Sequence, residues 1–395
     1  MTRKLFYEDV YRSEFESVVV ESAQEDGRDY VVLEETAFYP TGGGQPHDTG
    51  SLSEIEVYNV EEVDGDVRHY VKESISEGTS VKGRIDWKRR FDHMQQHSGQ
   101  HIISAVFHDT YNFPTTSFHL GADTVTIDLD TEELSDSILQ EAEERVNEII
   151  RRNVPIESKW VSVAEANEYP LRKPLSVEGD VRLVVIPDVD YSGCGGTHPH
   201  STSELMAVKF LGWTKNKKQV RLEFVCGNRV LEKLGDKHRV LNEVKQYVSK
   251  PEEEVAGEVG ELIRAGKEKD KRIAELEKVL LQYEARDVVK EAQGNQVIAR
   301  AYEGRTMKEL QALGKAIVEE ASYCYLILVS EQDDQLQFVL ASGKEQELEC
   351  NMNEVAGTVM PLIEGKGGGK PNFVQGGGKK LIDAQTFIEQ VEAAL

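Results

Sequence analysis

The first 86 positions alternate short β-branched runs with polar turns. The runs are residues 18–20, 30–33, 55–63, 67–71 and 81–85; Glu25-Asp26-Gly27, Asp64-Gly65-Asp66 and Glu77-Gly78 separate them. Many short strands with turn signals predict a small barrel or sandwich. Phe38-Tyr39-Pro40-Thr41-Gly42-Gly43-Gly44-Gln45-Pro46 interrupts the alternation. Its three consecutive glycines suit either a flexible loop or a backbone that approaches another group closely.

At Asp86 the period changes. Trp87–Tyr111 reads as a helix with Phe91, Met94, Ile102, Ala105 and Val106 toward a core. A strand at 124–129, a helix from 131–135 to about 153, a strand at 155–161, a short helix at 163–169 and a strand at 181–186 follow. Residues 187–201 read as a loop carrying Gly193-Cys194-Gly195-Gly196-Thr197-His198. A hairpin is expected from strands 205–213 and 219–225 around a turn at 214–218, with helix resuming at Asn228.

Residues 251–292 are charged and helical. Val259, Leu262, Gly266, Lys269, Ile273, Leu276, Leu280 and Tyr283 alternate spacings of three and four, a heptad seam interrupted at Gly266 and Lys269. A helical hairpin or a two-chain coiled coil fits that pattern. After Asn295 the chain reads α/β: strand 297–302, helix 307–321, strands 325–329 and 336–341, helix 352–363, a glycine-rich loop at 365–378 and helix 383–394.

The chain's 395 residues leave room for two or three domains at roughly 100–200 residues each. Lys plus Arg number 46 against 71 Asp plus Glu, a net charge of −25, which excludes a generally basic nucleic-acid coat protein but not a local basic patch. No apolar run approaches the roughly 18 residues of a membrane span. Residues 1–7 lack the apolar core of a signal peptide. Four cysteines in a chain this long do not suggest a disulfide framework, so a reducing cytoplasm is expected.

His93, His97 and His101 stand four residues apart and share one helical face. Such a face can grip a metal ion, or it can be a polar face that also carries Gln96 and Gln100. Cys194 and His198 offer a thiolate and an imidazole four residues apart, with glycines that permit a tight turn between them. Thiolate plus imidazole favours zinc over magnesium or calcium. His97, His101, Cys194 and His198 therefore make a three- or four-ligand site.

His97-Ser98-Gly99-Gln100-His101, followed far downstream by Cys194-Gly195-Gly196-Thr197-His198, resembles the editing domain of alanyl-tRNA synthetases and the free-standing AlaX proteins. The segment Phe38 to Pro46 resembles the glycine-rich motif of that branch. The likeness spans residues 1–230, and residues 295–395 resemble the DHH-associated domain of the long AlaX forms. The resemblance implies an α+β multidomain protein: a small β-barrel at 1–86, an α+β zinc editing domain at 87–230, a helical or coiled-coil linker at 231–294 and an α/β domain at 295–395. It implies a trans-editing hydrolase that frees serine or glycine from mischarged alanine tRNA. One zinc per chain would sit on His97, His101, Cys194 and His198, and Thr41, Gly42, Gly43, Gly44 and Gln45 would line the substrate site. The sequence starts directly with the editing-type β region, which argues against a complete alanyl-tRNA synthetase. A tRNA-binding protein with a purely structural zinc is the other alternative.

His93 lies outside the family motif, and His119 is read as a structural histidine near the cleft. Two lysine-rich islands lack acids along the chain: Lys209, Lys215, Lys217, Lys218 and Arg221, and Lys366, Lys370, Lys379 and Lys380. Both fall in regions whose resemblance implies tRNA, so they are expected to meet phosphate. The heptad segment or the C-terminal domain is expected to carry any homodimer contact.

Overall fold

The computed structural model describes residues 1–175, 179–345 and 350–395. The chain divides into two compact units, Met1–Val244 and Lys245–Leu395.

In the first unit, β1 (Glu14–Glu25), β2 (Arg28–Leu33), β3 (Gly50–Leu52), β4 (Ile55–Val63), β5 (Asp66–Val71) and β6 (Ser80–Ile85) pair in the order β1-β2-β5-β4-β3-β6. β6 pairs back onto β1, so the sheet closes into a barrel. Its interior is filled by Phe15, Val19, Val31, Leu33, Val57, Val60, Val67 and Val81. The alternate in-and-out pattern of β6, where Val81, Gly83 and Ile85 are buried, is the period of two a half-buried strand requires. The strand β3 had no sequence signal, because Gly-Ser-Leu is too short and too mixed to register a period.

α1 (Trp87–Tyr111) leaves the barrel directly. Asp86 caps it by accepting the Arg89 N–H at 3.2 Å, and Asn112 ends it in the left-handed conformation at φ 55°. Its first turns are locked to the barrel by Arg90, fully buried, whose guanidinium meets the Asp48 carboxylate and donates to the carbonyls of Ala37 (2.6 Å) and Val10 (3.1 Å). A charge buried that deeply needs every donor matched, and here it pins the glycine-rich segment to the helix.

A four-stranded sheet covers α1. Its strands β7 (Thr115–Leu120), β8 (Val125–Leu129), β12 (Val208–Asn216) and β13 (Gln219–Cys226) run in the order β12-β13-β8-β7. The β12–β13 turn is two residues, Lys217 and Lys218, tighter than the five-residue turn expected; Lys217 takes the left-handed conformation at φ 59° that such a turn demands. α2 (Asp136–Arg151) follows β8. A second sheet holds β9 (Glu157–Ser162), β10 (Asp180–Ile186) and β11 (Asp190–Gly193), all antiparallel. β11 lies inside the stretch read as a loop; four residues with one polar face carry no run of apolar positions to betray a strand.

α3 (Asn228–Val248) links onward to α4 (Val255–Glu291), one continuous helix of 37 residues. Gly266 does not break it, so no helical hairpin forms within residues 251–292. Heptad-seam residues Leu262, Ile273, Leu276, Leu280 and Tyr283 are all exposed, Leu280 by 67%.

The C-terminal sheet orders β14 (Val297–Glu303), β15 (Tyr325–Gln332), β16 (Gln335–Ser342), β18 (Phe373–Lys379) and β17 (Lys366–Lys370) as β14-β15-β16-β18-β17. The parallel β14–β15 pair is bridged by α5 (Met307–Glu320), and α6 (Met352–Val359) and α7 (Ala384–Ala394) complete the unit. Along β15, Tyr325, Ile327 and Val329 enter one core, and Leu326 and Leu328 enter the other. The segment 365–378, expected as a loop, is a β-hairpin. Its glycines serve strand packing: a Cβ at Gly376 would stand 2.5 Å from the Phe338 ring. Glycine disfavours strands on entropy, so composition pointed away from the sheet that packing selects.

Candidate functional site

His97 and His101 come from consecutive turns of α1, and Cys194 and His198 from the segment after β11. Their ligand atoms all lie within 4.8 Å of one another, a cluster that can hold a metal ion. The Cys194 Sγ is 3.5 Å from the Nε2 of His97 and 3.5 Å from the Nε2 of His198. Local chain geometry makes the convergence possible. A Cβ at Gly196 would stand 2.3 Å from the His97 ring, so only glycine lets the cysteine segment lie against the helix.

The far nitrogen of each imidazole is held. His97 Nδ1 pairs with Gln45 Oε1 at 3.2 Å, His101 Nδ1 with Asp190 Oδ2 at 2.6 Å, and His198 Nδ1 with Ser98 Oγ at 2.8 Å. Each ring is thereby turned so that its Nε2 faces the cluster, the arrangement by which metal-ligating histidines are oriented. Gln45, fully buried, also donates from Nε2 to Thr197 Oγ1 (2.8 Å) and accepts the Thr197 N–H (3.0 Å). Asp190 accepts from Arg172 Nε (2.7 Å) and from the Ser192 hydroxyl (2.9 Å).

Burial disfavours a thiolate at Cys194, but the neighbouring histidines outweigh it and hold the thiol well below its usual range. Burial pushes His198 down to about 3, against a smaller opposing effect of Cys194. Burial also works against the charge on His101, yet Asp190 and Cys194 lift it to about 9. The same His101 and Arg172 contacts overcome burial at Asp190 and hold it at about 2. An ion held here would take the place of the proton on His101, and a thiolate with neutral imidazoles is a donor set that suits zinc.

Of the cluster, His97, His101 and Cys194 line a cleft of about 540 Å3. Phe118 stacks on His97 with ring centres 5.4 Å apart, and Gly43 forms part of the wall. Of the glycine-rich segment, Gly43 reaches the cleft and Gln45 lies behind His97. The Thr41 hydroxyl is exposed and bonds instead to His47, 3.1 Å from its Nδ1 and 3.2 Å from its N–H. His93 is buried on the same helix but sits in a separate recess with Arg89 and Arg229, and burial followed by those cations pushes it down to about 3. His119 is exposed on β7 rather than packed as a structural histidine.

The lysine islands are smaller in space than along the chain. Lys209 pairs with Glu143 (2.7 Å), Arg221 with Asp128 (2.8 Å), Lys379 with Glu364 (2.6 Å) and Lys380 with Glu331 (2.5 Å). Among the described residues, Lys215, Lys217, Lys218, Lys366 and Lys370 have no such partner. Sequence reasoning missed Ser98 and Asp190 as orienting partners and Trp160, Arg172, Lys173 and Arg182 as cleft walls. Ser98 lay inside the quoted motif and could have been found by asking what the second nitrogen of each histidine meets.

Three family models match the chain. Residues 4–89 match the tRNA synthetases class II (A), 181–223 the threonyl and alanyl tRNA synthetase second additional domain, and 294–395 the DHHA1 domain. Fold and site thus define a multidomain α+β protein built from modules of the alanyl-tRNA synthetase type. Alanyl-tRNA editing protein AlaX-L of Pyrococcus horikoshii is 33% identical over 95% of this chain and 94% of its own length. Alanyl-tRNA editing protein Aarsd1 of Mus musculus is 32% identical over 91% of this chain and 88% of its own. The chain belongs to this family of alanyl-tRNA editing proteins. It is also 30% identical over 99% of its length to the alanine–tRNA ligase of Pyrococcus abyssi, of which it spans 43%.

Proposed function

We propose that this protein is a trans-editing hydrolase that cleaves the ester of seryl- or glycyl-tRNA(Ala), with one zinc per chain on His97, His101, Cys194 and His198. The observation that carries the reading is the cluster itself: three imidazoles, each oriented from behind, and one thiolate, of which His97, His101 and Cys194 line a cleft. The relatives' printed names supply the substrate class. When bound, the ion supplies a concentrated positive charge and a Lewis acid beside the ester. The chain's own part is positional. Gln45, Asp190 and Ser98 set the rings, Arg172 holds Asp190, and Phe118 shields one face of His97.

Hydrolysis in trans answers a physical limit. An aminoacylation pocket sized for alanine cannot strongly reject glycine, or an isostere that adds only a hydroxyl. Thr41, engaged by His47, is a weaker candidate for reading the serine hydroxyl than its motif position suggested; a Thr41→Val change that slows seryl- and glycyl-tRNA cleavage equally assigns it to holding the loop. Lys215, Lys217, Lys218, Lys366 and Lys370, which lack ion-pair partners among the described residues, are the phosphate contacts we favour. Lys366→Glu with Lys370→Glu should weaken tRNA binding and flatten its salt dependence by about two ions.

Side-by-side deacylation of seryl-, glycyl- and alanyl-tRNA(Ala), with and without a chelator, tests the reading. Release of serine or glycine that the chelator abolishes supports it; tRNA binding without release in any condition assigns the zinc a structural role. The exposed α4 seam supports a second copy of this chain as a further partner, since a heptad stripe flanked by charges is the surface a two-chain coiled coil buries. A monomeric mass in solution sinks that part.

A further inference from the structure

The walls of the cleft away from the cluster carry groups that ester chemistry does not use. Trp160, on β9, lines the cleft and is 58% exposed. A tryptophan left open to water in a strand forgoes much of the burial that usually stabilises it. Its position is nevertheless well determined. Its ring meets Tyr7 edge to face with centres 5.7 Å apart, and Arg182, its cross-strand partner, lies 4.9 Å over that same Tyr7 ring. Arg182 in turn donates to the carbonyls of Cys194 (3.0 Å) and Gly196 (2.7 Å), and the Tyr7 hydroxyl donates to that of Gly195 (3.1 Å). The segment that places Cys194 and His198 therefore also places Trp160.

The charge on this wall is equally unusual. Arg172, Lys173 and Arg182 line the cleft against one carboxylate, Asp180, among the described residues, in a chain of net charge −25. Arg172 is occupied by Asp190 and Ser192, and Arg182 by backbone carbonyls. Among the described residues Lys173 has no carboxylate partner; its ammonium feels chiefly the surrounding protein and the repulsion of Arg172. An unengaged cation beside an exposed aromatic ring is the pairing used for a nucleotide, stacking for the base and charge for the phosphate.

We infer that this wall receives the terminal nucleotide of the tRNA, with Trp160 stacked on its adenine and Lys173 against its phosphate. The inference rests on the editing reading for the source of the nucleotide, but the recognition itself does not depend on ester cleavage. Because the segment at residues 193–198 holds both the cluster and the tryptophan's support, a base seated on Trp160 places its ribose ester in the same cleft as His97 and Cys194. Stacking is tolerant of base identity, so Trp160 contributes affinity and position rather than choice of amino acid.

Titration of the full chain with AMP, followed by tryptophan fluorescence, tests this without turnover. Quenching that disappears in Trp160→Phe and weakens in Lys173→Gln is expected. Quenching that persists in Trp160→Phe, or none in the parent protein, overturns the inference. In deacylation, Trp160→Ala should raise KM for seryl-tRNA about 10- to 100-fold with kcat within a fewfold, and Trp160→Phe should recover most of the loss. An unchanged KM in Trp160→Ala overturns it as well. If the parent protein releases neither serine nor glycine, the editing reading fails, and the nucleotide site stands or falls on the AMP titration alone.

Discussion

α1 and α4 carry the same periodicity with opposite fates. Along α1, His93, His97 and His101 recur every four residues; along α4, Ile273, Leu276, Leu280 and Tyr283 recur every three or four. The histidines, polar and costly to bury, are all buried, while the leucines, cheap to bury, stand in solvent. Other elements decide the difference. α1 is met by Gln45, Cys194, His198 and Asp190, which satisfy two of its three imidazoles from outside the helix. Among the described residues the seam of α4 is covered by no other element closely enough to bury it. Spacing determines which residues share a face; it says nothing of what that face will touch.

The largest effect expected on this contrast comes from deleting a ligand. Cys194→Ala or His101→Ala should take the metal from about one per chain to none, and deacylation with it. Full occupancy by elemental analysis in a His97→Ala, Cys194→Ala double variant breaks the site assignment.

Next comes acid, which separates a buried histidine that serves the fold from those that serve the site. His69, fully buried in the barrel, is bonded to Thr36 Oγ1 at 2.8 Å and the Val31 carbonyl at 3.1 Å, and burial lowers it from 6.5 to about 4. The unfolded chain binds this proton more readily than the folded one. The stabilisation is therefore complete above about pH 6.5 and is lost as pH falls toward 4, about 3 kcal/mol in all. Denaturant midpoints for the parent and His69→Gln proteins should converge as the pH falls through that window. Parallel curves would show that another group carries the acid sensitivity.

Asp190→Asn tests the support rather than the ligand. It keeps a group opposite His101 but loses the charge shared with Arg172, and metal affinity should fall about 10- to 100-fold. An unchanged affinity in a competition titration would make Asp190 a fold residue.

Leu276→Glu with Leu280→Glu addresses the other side of the comparison. Because both side chains are exposed, folding stability should move by no more than about 0.5 kcal/mol for each change. Any dimer should nonetheless dissociate, as light scattering would read. The smallest effect is assigned to His93→Ala, which should keep its metal. Loss of the ion there would mean the recess of His93 and the cluster act as one site.

Much of this was legible before the fold was known, and the reasons are local. His97, His101, Cys194 and His198 announced themselves because metal chemistry restricts donors to few residue types and short chain spacings. The alternation of β6 and the caps of α1 are likewise properties of neighbouring residues. What depended on distant residues stayed hidden. Lys209 and Arg221 lacked acids along the chain yet found Glu143 and Asp128 in space.

The sequence by itself marked four residues able to hold a metal ion and the faces of the helices, since both follow from residue type and spacing, and the resemblance of its motifs gave the class of protein. Only the tertiary structure decided that Gln45, Asp190 and Ser98 orient the three imidazoles, that Trp160 and Lys173 wall the cleft, and that the glycines of 365–378 build a sheet edge. Those outcomes turn on which backbones approach closely enough to satisfy a buried polar atom or to exclude a Cβ, and no local pattern records an approach between residues 50 or 150 positions apart.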